Sequence, residues 1–381
     1  MSKFEVLILP IDKVENHPNA DRLSLNHIRG YVAVSNKTDD GQHRYKKGQL
    51  VAYVPCGACV PEGLLRDKGY WDEEKGRGFL GGEKGDIVRP INLRRQLSEG
   101  LIFPCEVTES DYGAHTQPQY YLKNAHGHTR LVKAGDCVDD ALGIHKFEAL
   151  YTSQLEDYPY LQGRNDNTFD GYSIEDIKKY PNLLEGHQVV VTELLHGVHC
   201  TVGFNRARTD SPYFVADSTG AILDNSKSNI YTDTAKKIWP AINRYIEQMP
   251  AIEVFHLHGV IIGPGIQDIT YGLEENEFRA IDIKMGLMGG GRDSIPYGYL
   301  GMRKYESMKW MDLLTVPVVW AGEFQPGAIE QLLQKKSAIG GGMQKGVVIT
   351  SEDDNLIQGR RPMLKALSEK YLLRSKGTEY K

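Results

Sequence analysis

The chain alternates between short apolar runs and polar, glycine-containing breaks. From Phe4 to about Cys105 the apolar runs are Glu5–Ile11, Tyr31–Ser35, Gln49–Pro55, Asp86–Leu93 and Gly100–Pro104, with Gly, Asn, Asp and Lys clusters between them. Runs of this length at roughly 8–12-residue spacing predict short strands closing into a small barrel or sandwich. From His187 onward the strand pattern returns in His187–Leu195, His199–Asn205, Tyr213–Asp217, His256–Gly263, Phe278–Lys284 and Lys345–Thr350. Three helical patterns interrupt it. Thr234–Met249 puts Ile238, Ile242, Tyr245 and Ile246 on one face, Ala328–Ala338 is a second, and Pro362–Ser375 a third. Strands with segregated helices define an α+β second half.

The stretch between the halves has no clear period. His115–Thr129 reads as loop or linker, and Ile174–Leu184 as a short helix ended by Pro181. The expected organisation is a β-barrel domain over 1–110, a linker and helical segment over 111–185, and a catalytic-type domain over 186–381. No internal repeat occurs. The tracts Gly289–Gly291 and Gly340–Gly342 read as flexible loops.

Composition narrows the function classes. The 381 residues carry a net charge of −5 and a pI near 6.2, so bulk positive charge is not the basis of any nucleic-acid binding, although a local basic groove is compatible. Five cysteines, an odd number, and an N-terminus without a signal-peptide core point to a reducing, cytoplasmic setting. No apolar run reaches the ~18 residues of a membrane span. Cys56 and Cys59 have CxxC spacing but no second pair, which favours two packed thiols over zinc. No phosphate-binding P-loop string is present.

Two N-terminal segments carry candidate chemistry. His17-Pro18-Asn19-Ala20-Asp21-Arg22-Leu23 forms a tight bend before a strand. Arg89, Arg94 and Arg95 lie on or beside a predicted strand that Pro90 confines to an edge or breaks; their guanidinium forks suit phosphate oxygens, or else protect a solvated edge. Five further blocks follow in order: Thr192-Glu193-Leu194-Leu195-His196-Gly197, Leu257–Asp268, Phe278–Asp282, Lys345–Ile349 and Leu364–Leu372.

These five blocks, at these separations, resemble the motifs of ATP-dependent RNA ligases of the covalent nucleotidyltransferase superfamily. The leading HPNADRL segment resembles the family members with an N-terminal OB-fold, a five-stranded, partly open barrel. The resemblance covers nearly the whole chain. It implies an OB-like barrel followed by an RNA-ligase nucleotidyltransferase domain, RNA or nicked duplex with RNA ends as partner, and ATP with Mg²⁺ or Mn²⁺ as cofactors. In such ligases a lysine amine attacks the α-phosphate of ATP, AMP passes to a 5′-phosphate end, and a 3′-hydroxyl seals the strand.

The resemblance also locates the departures. The nucleophile position is Leu194, which has no lone pair. Val260 and Lys345 stand where the family has carboxylates, the second at the metal. Lys365, placed in the family at the α-phosphate, is retained, as are Glu193, Gly197, Arg279 and Asp282 at nucleotide-binding positions. Loss of a nucleophile costs on the order of 10⁶ in rate. The expectation is therefore a ligase-like pseudoenzyme of RNA repair that does not adenylylate itself. Two alternatives stay open: an active RNA ligase using another lysine, such as Lys227, or a non-enzymatic tRNA- or RNA-binding module. His196 and His199 are better read as turn and strand histidines than as metal ligands.

Overall fold

The computed structural model describes residues 4–109, 118–124, 127–147, 174–209, 211–217, 222–287, 298–352 and 363–374. The chain divides into two units, formed chiefly by Lys3–Ala149 and Leu150–Tyr371.

The first unit is organised by the strand Leu50–Val54, whose five residues are all buried. It pairs antiparallel with Leu7–Pro10 on one side and Leu101–Pro104 on the other. Its alternate residues feed two cores, as a pleated strand with both faces covered must. Leu50, Ala52 and Val54 pack with Val6, Ile8, Leu64 and Leu65. Val51 and Tyr53 pack with Ile11, Ile28, Tyr45 and Ile102. Lys13–Asn16, Leu23–Ile28 and Tyr31–Asn36 form a second antiparallel sheet. Among the described residues these ladders stay separate three-stranded sheets, and none closes on itself.

The loop expected over His115–Thr129 is corrected in its described part. Pro118–Lys123 pairs with Glu106–Glu109 and with Thr129–Val132, and Leu122 and Val132 enter the first core. Tyr120 and Leu122 supply a two-residue apolar alternation that the polar surroundings hide. The unit extends to residue 149 through packing of Val138, Leu142 and Ile144.

Among the described residues the second unit holds two five-stranded sheets. One runs Glu175–Asp176, Met363–Leu367, Gly346–Ser351, Gln188–Leu194, Val318–Glu323. The other runs Phe214–Ala216, Val198–Asn205, Ile252–Ile262, Glu277–Leu287, Gly298–Tyr299. The helix Ile230–Gln248 starts at Asn229, whose side chain accepts from the backbone N–H groups of Tyr231 and Thr232 at 2.9 Å. Its expected apolar face is buried: Ile242, Tyr245 and Ile246 pack with Phe255 and Leu257.

Three helix expectations change. Pro362–Ser375 is strand over Met363–Leu367, then a short helix Glu369–Leu372. Met, Leu, Lys and Ala favour helix, but pairing with Gly346–Ser351 overrides that preference. Ile174–Leu184 holds the strand Glu175–Asp176 and a 3₁₀ turn Ile177–Lys179, with the Asp176 side chain accepting from Lys178 N. The helix expected over Ala328–Ala338 spans Pro326–Leu332. The tract Gly289–Gly291 lies outside the described residues. Gly340 is a close-contact position: its φ is +70°, and a Cβ there would stand 2.0 Å from the Tyr271 carbonyl oxygen. No helix among the described residues is long and apolar enough to cross a membrane.

Candidate active site

Strand parity fixes the site. In the strand Gln188–Leu194, Val189, Val191 and Glu193 face one way, and Val189 and Val191 join Val347, Ile349, Leu364 and Ala366 in a core cluster. Val190, Thr192 and Leu194 face the other way. Leu194 lies opposite Gly346, and Thr192 lies opposite Val348, which lies opposite Lys365. Residues directly opposite in an antiparallel ladder share a face. Leu194 and Lys365 therefore project from the same side of the sheet. There Leu194 packs half-buried with Val348, Met363, Ile174, Ile281 and Tyr299. Ile281, on the second sheet, sits between Ala280 and Asp282, close to Arg279 in the chain.

Glu193 is buried, and its Oε2 accepts from Ala338 N at 2.8 Å. Burial pushes its carboxyl above the usual carboxylate range, opposed by the Ser337 hydroxyl and the Ala338 amide. Its Oε1 is buried without a hydrogen-bond partner among the described residues. Gly197 is a packing requirement, since a Cβ there would meet the Ile261 carbonyl oxygen at 2.2 Å.

Next to them His196 is a hub. Its Nε2 meets Asp268 Oδ1 at 2.7 Å and its Nδ1 meets Tyr371 Oη at 2.7 Å. An ionised Asp268 only accepts, so Nε2 carries the proton and Nδ1 accepts from the tyrosine hydroxyl. The His196 N–H donates to Tyr271 Oη. Lys345 Nζ lies 5.3 Å over the Tyr371 ring, a cation–π contact. Ser368 Oγ donates to Gln344 O and accepts from Tyr371 N. Three of the five sequence blocks thus meet at one imidazole, and a fourth joins through the contact of Lys345 with Tyr371. Sequence reading identified His196 only as a turn residue and missed Asp268, Tyr271 and Tyr371 as its partners; no spacing signal joins residues so far apart.

On the second sheet, Val260 lies between His199 and Arg279 in the ladder and is buried with Leu195, Ile262, Tyr271 and Val316. Arg279 is held by Glu277, with Nε donating at 3.0 Å and Nη2 to the same oxygen. Asp282 is fully buried, accepts from Ile283 N at 3.0 Å, and stands 3.5 Å from the ammonium of Lys304, itself buried. Lys304 had no signal in the sequence. Burial lowers the His199 imidazole to about 3, so it stays neutral. Lys227 is exposed on the turn before the long helix. Arg89, Arg94 and Arg95 are exposed in the first unit. All five cysteines are free thiols.

The position that the resemblance assigns to a divalent cation, Lys345, does not suit one. Mg²⁺ and Mn²⁺ want carboxylate or other hard oxygen donors. Lys345 brings an ammonium instead. Among the described residues no group of three His, Cys, Asp or Glu is placed to hold a metal.

No family model and no curated protein matches the chain. Solved structures do. An apo lysine-to-alanine variant of a Naegleria gruberi RNA ligase is 20% identical, with a TM-score of 0.72 over 96% of this chain and 97% of that one. The Naegleria gruberi RNA ligase with PPi is 20% identical, with a TM-score of 0.70 over 97% and 98%. A second lysine-to-alanine variant, with ATP and Mn, is 19% identical, with a TM-score of 0.68 over 96% and 98%. At this identity the likeness is one of fold, and over nearly its whole length this chain has the fold of an RNA-ligase-type nucleotidyltransferase.

Proposed function

We propose that this chain is an RNA-ligase-like protein that engages RNA ends or nicked duplexes without forming a covalent adenylate of its own. One observation carries the reading: Leu194, a side chain with no lone pair, shares a sheet face with Lys365. Attack on an α-phosphate needs a neutral nitrogen there. Val260 and Lys345 remove two further carboxylates, and no step is assigned to a metal, because the donor set does not fit one.

Recognition groups remain. Lys365 and Arg279 are cations suited to phosphate oxygens. The buried Glu193 Oε1 is an acceptor available to a ligand N–H. Gly197 and Asp282 keep the strand ends and the second sheet in place. These features support a nucleotide pocket bordered by Glu193, Gly197, Val260, Arg279, Asp282 and Lys365. In the first unit we read an OB-type nucleic-acid-binding domain, with Arg89, Arg94 and Arg95 on its exposed surface.

The test is incubation with α-labelled ATP and Mn²⁺. The expected result is no labelled protein. An acid-labile lysyl-AMP band overturns the reading. Calorimetric titration with ATP reports nucleotide entry independently of chemistry.

A further inference from the structure

We infer that His17 and Asn19 brace the Arg94–Arg95 turn so that its two guanidinium groups grip phosphodiester oxygens of RNA. The inference rests on the reading of the first unit as RNA-binding and adds the element that makes the contact.

Strands Ile91–Leu93 and Gln96–Ser98 pair with Leu93 opposite Gln96, leaving a two-residue loop, Arg94–Arg95. Both arginines have left-handed backbones, with φ of 49° and 69°. Two successive left-handed residues make a type I′ turn, a geometry that strongly favours Asn-Gly. Arginine supplies neither the short polar side chain nor the missing Cβ that makes this conformation accessible.

The turn is held from outside. Asn19 Nδ2 donates to Arg94 O at 2.8 Å. His17 Nδ1 accepts from Asn19 N at 3.0 Å, so its Nε2 carries the proton and donates to Leu93 O at 2.9 Å. Asn92 Oδ1 accepts from Arg95 N at 2.8 Å. The hairpin's far arm is anchored too: Ser98 Oγ accepts from Val34 N, and Glu99 N donates to Val32 O. His17 is buried, whereas both arginines are exposed. Among the described residues neither guanidinium makes a hydrogen bond or an ion pair. A hairpin that served only to turn the chain would need no brace and no arginine. A rigid, adjacent pair of guanidinium forks suits consecutive phosphates, because positions fixed beforehand lose little freedom on binding.

The experiment measures binding of the full chain to a fluorescent single-stranded RNA of about 20 nucleotides, longer than the ~4–16 nucleotides that one OB-type unit covers. Titrations run from about 50 to about 200 mM salt. In R94N/R95G, which keeps the turn geometry, the dependence of log affinity on log salt should flatten by about 1.4, two contacts at ~0.7 each. Raising the salt across that range should then weaken the variant about sevenfold less than the wild type. The same variant should melt at a higher temperature. His17→Ala, which keeps both charges, should lower affinity, and His17→Gln, with an amide N–H in place of the ring N–H, should recover it. Unchanged affinity and salt slope in R94N/R95G, with the wild type binding RNA, overturns this inference alone. Absence of RNA binding by the wild type overturns it together with the reading it rests on.

Discussion

Introducing an amine at position 194 should not by itself produce chemistry. Leu194 and Lys365 lie two strands apart, ~9.6 Å, and two residues out of step, ~7 Å, which puts their rows about 12 Å apart. At an effective dielectric of about 20, two ammonium groups at that separation repel by about 1.4 kcal/mol. That favours the neutral amine tenfold, from roughly one in 2,500 to roughly one in 250 at pH 7. Leu194→Lys thus gains a nucleophile but keeps an ammonium at Lys345, where the resembling ligases have a carboxylate. No labelled adduct is expected from the single variant with α-labelled ATP and Mn²⁺. L194K/V260E/K345E should label. Val260→Glu puts a carboxylate into an apolar cluster, a desolvation cost of several kcal/mol, eased by Arg279 directly opposite in the ladder. Melting curves must therefore accompany the labelling. A folded triple variant that stays inert refutes the assignment of these positions, and a single variant as active as the triple refutes the role given to residues 260 and 345.

Other consequences can be measured on stability. Tyr371→Phe leaves a buried His196 nitrogen without its donor and should cost about 1–3 kcal/mol in chemical denaturation. Asp282→Asn removes the carboxylate beside the buried Lys304 and should cost about 3–5 kcal/mol, whereas a loss under about 1 kcal/mol would mean that the pair is not a buried ion pair. Glu193 has a raised carboxyl, so the folded state holds its proton to higher pH than the unfolded chain does. Stability then falls as pH rises through that window, and Glu193→Gln should raise the melting temperature at pH 7 but not below about pH 4. His199 behaves oppositely: its lowered value makes the unfolded chain bind the proton first, so stability falls from about pH 6.5 toward about 3, and His199→Phe should flatten that acid limb.

Much of the second unit was legible along the chain. Six strands of the two sheets coincide with the apolar runs, and the long helix with its spaced isoleucines, because burial on a pleat or a helical face writes its period into sequence; Val318–Glu323 and Gly298–Tyr299 had no such run. Met363–Leu367 was not legible, since helix-forming residues took strand form to fit a neighbour. Nor was the sheet built on Pro118–Lys123, where two inward residues are lost among polar ones. Leu194 and Lys365 were placed by motif order, but that they share a face follows from register, which sequence does not reveal. The His196 hub and the braced arginine turn depend on hydrogen bonds between residues far apart in the chain. Arg-Arg carries no turn signal at all.

The separations in that hub have a kinetic meaning. His196 meets Tyr371 across 175 residues, Glu193 meets Ala338 across 145, and His196 meets Asp268 across 72. Closing the longest of these loops costs only about 0.8 kcal/mol more than closing the shortest, by the logarithmic scaling of loop entropy. Such non-local pairings nonetheless slow folding and form after the local hairpins. These contacts thus form with the non-local ladders of their sheet, such as Glu175 with Leu364, and a refolding experiment that follows tyrosine environment should see them lag behind the local hairpins.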